Sequence, residues 1–358
     1  MGLVEPIAPT DRTLFGPRGA ALGSEAGPLF VCDTGHHRLL VWNGLPDQDG
    51  SPADHLIGQP DFRSEGRNAR GLVGAATLNV PTGVSAEDGV LAVADAWNHR
   101  VLIWHGYPAR SNQPADVVLG QRDFVSNAPN RGCDMPSAAS LNWCYGVAIA
   151  NGALYVADTG NRRVLKWNRI PEADGTPADL VLGQDDFETR DENGGRMPGA
   201  AGMRWPHGVA TDGDRLFVAD AGNNRIMVWD APPGRNGTPS AFVLGQRNAR
   251  GVDHNQAAYY PTAASLNMPY GVAVLDRKLV ATDTANCRIV GYDLDDLAME
   301  APAHWLAGQT TFEDKGENRW SVPQRDSLCW PYGISVSGTM VVVADSGNNR
   351  VLVWEAIP

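Results

Sequence analysis

Apolar residues fall in short runs along nearly the whole chain, each run bounded by Gly, Asn, Asp or Pro. That pattern predicts short β-strands joined by tight turns. In one stretch the segments with strand character are Tyr145–Ala150, Leu154–Ala157, Arg163–Trp167 and Asp179–Leu182. The same four-segment unit returns along the chain, and the turn between its second and third segments carries a fixed motif. It reads D-T-G-H-H-R from Asp33, D-A-W-N-H-R from Asp95, D-T-G-N-R-R from Asp158, D-A-G-N-N-R from Asp220, D-T-A-N-C-R from Asp283 and D-S-G-N-N-R from Asp345. Successive Asp spacings are 62, 63, 62, 63 and 62. A second marker, G-Q, falls at Gly58, Gly120, Gly183, Gly245 and Gly308 with the same alternating period. Two markers in one register define a structural repeat.

Four short antiparallel strands per repeat make one propeller blade. The predicted fold is therefore all-β: a single domain over residues 1–358, a six-bladed β-propeller of four-stranded blades beginning near residues 14, 78, 141, 203, 266 and 328. Strands are lettered a to d from the axis outwards. Strand c ends on an aromatic residue in every unit, at Trp42, Trp104, Trp167, Trp229, Tyr292 and Trp354, which reads as packing between blades. Only Glu355–Pro358 follow Trp354, too few for an outer strand. Residues 1–12, with Leu3, Val4 and Ile7, are the expected strand that closes the last blade.

The segment L-Y-V-A-D-T-G-N-R-R-V-L closely resembles the NHL repeat, and the resemblance runs from about Leu14 to Trp354. It implies a propeller and leaves the activity open. NHL propellers include RNA-binding modules, protein-binding modules, scaffolds and an amidating lyase domain.

Composition narrows the choice. A formal net charge of −12 disfavours polyanionic partners, and the five long loops hold thirteen Lys or Arg against fourteen Asp or Glu, so nucleic acid ranks last. The N-terminus lacks a basic region followed by an apolar one, and no long apolar run suggests a membrane span. Five Cys without a C-x-x-C suit a reducing compartment, and a cytoplasmic location is expected. No G-x-S-x-G, P-loop, H-E-x-x-H or G-x-G-x-x-G is present. The D-x-D-G at Asp47 lacks the twelfth-position Glu of a calcium loop and reads as a turn.

Each repeat exceeds the usual propeller unit of roughly 40 to 50 residues, and the excess lies in the loops between G-Q and the next strand a. Those loops share one rim, the top face, with the b-to-c turns. Function is expected there, on a small molecule or a partner protein. Asn68, Asn130, Asn193, Asn255 and Asn318 recur in the loops as expected backbone supports. Strand a opens on P-x-G in most blades, and the residue before Gly should ring the channel mouth: Arg18, Thr82, Tyr145, His207, Tyr270 and Tyr332. A cation, an imidazole and several phenols suit an anionic or carbonyl-bearing ligand. Trp143, Trp205 and Trp330, two residues earlier, are a candidate aromatic wall.

The alternative is a metal-assisted lyase or hydrolase with His207 as base or ligand, Arg18 stabilising negative charge and the mouth phenols as acid or base. It follows from the resemblance to the amidating lyase, which holds zinc by several His at its channel; this mouth has one. Its transition-metal variant needs His207 to meet Cys144, Cys329, Cys133 or His254. His36, His37, His99 and Cys287 also fall in b-to-c turns on the top face. Cys32 reads as core, and His55, His105 and His304 as structural.

Overall fold

A computed structural model describes residues 7–356 of the chain. Five sheets of four antiparallel strands follow one another in sequence order, and a sixth contains Pro331–Ser337, Met340–Asp345 and Arg350–Glu355. The innermost strands, Gly19–Leu22, Pro81–Glu87, Gly146–Ala150, Pro206–Thr211, Pro269–Leu275 and Pro331–Ser337, each pack against the next, and the last packs against the first. This is a closed six-bladed β-propeller. The strand expected to complete blade six falls mainly on residues 1–6, which lie outside the described residues.

Apolar faces of adjacent blades form the core. Val101, Ile103 and Val117 of blade two pack with Val147, Leu165 and Trp167 of blade three. The strand-c aromatics take the predicted packing role. Trp104, Trp167, Trp229 and Tyr292 are buried, and the indole N–H groups of Trp42, Trp104, Trp167 and Trp229 each donate to a carbonyl nine residues on, at 2.9–3.1 Å. A ring at this position fills the inter-blade gap and pins the c-to-d connection.

The D-x-x-N-x-R turn organises the top face. In blade two, Asp95 accepts the Asn79 N–H at 2.7 Å on one oxygen, and the Asn98 amide at 2.7 Å and Arg100 Nε at 2.8 Å on the other. Arg100 has no exposed surface, and its remaining nitrogens donate to the carbonyls of Phe124, Gly74 and Thr77. One ion pair therefore ties the turn to two long loops. The loop asparagines complete the frame. Asn68 exchanges hydrogen bonds with Asn98, Asn130 with Asn161, Asn255 with Asn286 and Asn318 with Asn348, while Asn223 donates to Asn193. The Gln of each G-Q binds the same loop and turn; Gln121 donates to Asn98, His99 and Ala128 carbonyls. Its Gly120 is needed at φ +86, where a Cβ would stand 2.8 Å from the His99 carbonyl oxygen.

The fifth residue of the turn motif joins blades. His37, His99, Asn224, Cys287 and Asn349 accept the backbone N–H of Val80, Trp143, Met268, Trp330 and Gly16, respectively, in the next blade. Arg162 holds that position in blade three and cannot accept a hydrogen bond. It donates instead to the Gly160 and Arg190 carbonyls, so the junction with blade four lacks this clasp.

Candidate functional site at the channel mouth

The inner strands place Arg18, Tyr145, His207, Tyr270 and Tyr332 around one mouth. Ring centroids of Tyr145 and His207 are 4.2 Å apart, those of His207 and Tyr270 4.2 Å, and those of Tyr270 and Tyr332 4.7 Å. Arg18 completes the circle, its guanidinium carbon 4.9 Å from the Tyr332 centroid and 5.7 Å from that of Tyr145. Convergence is what equivalent strand positions dictate. Their mutual stacking closes the channel to a cavity of about 80 Å³, enough for a few waters.

The members are not equally available. Thr82 is buried, and its hydroxyl donates to the Tyr145 carbonyl at 2.7 Å. His207 is buried with Nδ1 donating to the Trp205 carbonyl at 2.8 Å, which leaves Nε2 without a proton in the neutral ring. Burial lowers its pKa to about 3. His207 therefore supplies no charge at neutral pH. The Tyr145 hydroxyl is buried, facing the Arg18 guanidinium. Arg18, Tyr270 and Tyr332 remain half-exposed. Burial pulls the Arg18 pKa down, but the phenols of Tyr145 and Tyr332 outweigh it and the net shift is upward, so the guanidinium stays charged.

Of the three tryptophans expected as a wall, Trp143 stands edge-on to Tyr145 at 6.2 Å and Trp205 stacks with Arg204 at 5.1 Å. Neither lines the channel cavity. Trp330 lines a second cavity of about 350 Å³ between blades six and one, together with Phe15, Arg18 and Tyr332. Its indole donates to Glu317 at 2.9 Å.

The metal set is not gathered. Among the described residues no three His, Cys, Asp or Glu side chains stand together as a metal site. Cys144 is in the core, its thiol bonded to the Arg100 carbonyl at 3.2 Å, because its position faces the neighbouring blade instead of the mouth. Cys329 is buried under Gly347, and burial raises its pKa to about 11. Cys133 and His254 are exposed in loops of different blades. Cys287, His37 and His99 act as blade clasps. His36 stands in the Asn position of the first turn and bridges Asp33, at 2.8 Å, and the Ile7 carbonyl, at 2.9 Å.

Two features escape a reading of the sequence. One is the clasp, signalled by a position that holds His, Asn or Cys in five of the six motifs. The other is the rim. Among the described residues, the exposed large apolar side chains other than Met299 and Trp305 lie in top-face segments, including Leu72, Met135, Met197, Tyr259, Tyr260, Trp320 and Val322 in the long loops. Leu72, Met197, Tyr259 and Val322 each stand four residues after a framing Asn.

A closed propeller with a framed, apolar-tipped loop face defines a protein of the repeat-scaffold class. The family model of the NHL repeat matches residues 78–104 and 203–229, blades two and four, and the same Asp, Asn and Arg positions recur in the other blades. Blades two and four are thus NHL repeats, and the chain as a whole is similar to the NHL-repeat proteins. It is 23% identical over 387 aligned residues to NHL repeat-containing protein 2 of Gallus gallus, covering 99% of this chain and 48% of that protein. The Homo sapiens protein of that name is 22% identical, again with 99% and 48% covered. The chain thus spans about half the length of the curated relatives it matches. Among solved structures, Kuenenia stuttgartiensis hydrazine synthase superposes with a TM-score of 0.54 at 12% identity, covering 99% of both chains. U3-55K gives 0.52 at 10% identity, covering 97% of this chain and 81% of that one. At such identities the likeness is one of fold.

Proposed function

We propose that the chain is a binding module whose top face docks a partner protein. The observation that carries this reading is the rim: apolar side chains held out to solvent on loops that are fixed from below. Trp320 is 79% exposed, Tyr259 72%, Met197 84% and Leu72 91%. Contiguous exposed apolar side chains mark an interaction surface, and on this rim Tyr259 and Tyr260 meet edge to face at 4.8 Å. The Asn pairs and the buried Arg–Asp network hold the loop frames before any partner arrives, which lowers the ordering cost of association. Large aromatic side chains such as Trp320 and Tyr259 are the residue types that anchor interfaces.

Five free cysteines support placing the module in a reducing compartment, the cytoplasm. No helix among the described residues is long and apolar enough to cross a membrane. The lyase or hydrolase alternative has less support, since its base His207 is buried and hydrogen-bonded to its own backbone segment.

A photo-crosslinking residue placed at Trp320 or Tyr259 should trap one discrete partner in cells. The same residue at Met299, between strands c and d of blade five, should trap none. Equal trapping at Met299, or none at the rim, would rule the reading out.

A further inference from the structure

Arg18 differs from the buried motif arginines. Each of those carries a carboxylate; Arg18, among the described residues, is paired with none. The Tyr145 hydroxyl is buried beside it. Both line the channel cavity, and Arg18 also lines the larger cavity between blades six and one. A half-buried guanidinium that stays charged over phenol faces and carries no carboxylate leaves its N–H fork open to an anion.

The larger cavity owes its place to one residue. Gly16 stands where the other blades carry Val80, Trp143, Trp205, Met268 and Trp330, and nothing lies within 4 Å of the position its Cβ would take. Blade one therefore leaves open the space that an indole occupies beside Tyr145 in blade three. The notch is walled by Phe15 and Trp330, and Arg18 and Tyr332 also line it. The hydroxyls of Thr34 and Ser346 are committed to the Pro81 and Pro17 carbonyls, so Arg18 is the cation and main free donor of the notch.

We infer that this notch binds a monoanionic aromatic carboxylate, its ring in the space left by Gly16 and its carboxylate on Arg18. A single guanidinium matches one negative charge in bidentate geometry, whereas a phosphate dianion would lack a second cation, His207 being neutral. The carboxylate comes either from a free aromatic acid or from the C-terminal aromatic residue of a peptide. This site is independent of the rim: a partner can dock on the loops with the notch empty.

Calorimetric titration of the full chain tests it with four probes: indole-3-propionate, its neutral amide, and a tetrapeptide ending in Trp as the free acid and as the amide. At least one acid should bind with a dissociation constant below 1 mM, on the order of the affinity of a small ligand with one ion pair. The matching amide should bind at least tenfold more weakly. Which acid binds identifies the source. Arg18→Gln should weaken the acid at least tenfold. Gly16→Trp should abolish binding while the chain still folds, because Trp143 and Trp330 already adopt φ +50 at the equivalent position, against +54 for Gly16. Failure of both acids to bind, equal binding of acid and amide, or undiminished binding in folded Gly16→Trp would overturn the site.

Discussion

The side-chain oxygen of Asn349 accepts the Gly16 N–H at 2.8 Å, joining residues 333 positions apart in the chain. It closes the ring in the manner of every clasped junction, where the last blade serves the first as His99 serves Trp143. Asn349→Ala should cost about 1–3 kcal/mol by leaving that N–H without its acceptor, and Asn349→His should restore most of the loss. Denaturant unfolding of both variants checks this; an alanine variant as stable as the parent would contradict it.

The N-terminal arm is anchored on blade one. His36 is bonded to the Ile7 carbonyl, Arg38 to that of Thr10, and the Ala53 N–H to that of Asp11. Deleting residues 1–12 removes these partners along with the expected closing strand, and should lower the melting temperature and promote aggregation through an open edge. Light scattering and thermal unfolding report both effects, and equality with the full chain would sink the assignment.

Asp220 and Arg225 are fully buried, 3.0 Å apart. Asp220→Ala leaves Arg225 uncompensated and frees the Asn223 amide and the Arg204 N–H, for a loss of about 3–5 kcal/mol. A variant that unfolds at the parent's midpoint would show the turn motif to be something other than structural.

Acid should loosen the clasps. Burial lowers the His99 pKa to about 4, and its Nδ1 must stay unprotonated to accept the Trp143 N–H. In the unfolded chain a His titrates near 6.5. As pH falls through that value the unfolded state gains a proton the folded state does not hold, so stability declines from about pH 6.5 to about pH 4. His99→Asn keeps an acceptor, as at Asn224, and should flatten that part of the stability profile. An unchanged slope would refute the linkage.

Blade number, register and the strand-c aromatics were legible in the sequence because each repeats at a fixed spacing, and the backbone hydrogen bonding of a strand pair leaves little freedom once two markers set the register. The mouth was legible to the same extent. Equivalent positions must converge, so the ring of Arg18, Tyr145, His207, Tyr270 and Tyr332 could be drawn beforehand. How those side chains stack was not, since spacing says nothing of rotamers; stacking buries Tyr145 and His207 and leaves Arg18 partly exposed over the rings. Cys144 was misplaced for a similar reason. One residue along a strand reverses the face, and its thiol points into the inter-blade core.

Top-face docking is tested most directly by retention of the partner trapped at the rim. Leu72→Ser, Tyr259→Ser and Trp320→Ser combined should leave the melting temperature within a degree or so of the parent, these side chains being exposed, and should abolish co-purification of that partner. Retention of the partner by the folded triple variant would contradict a rim-borne interface.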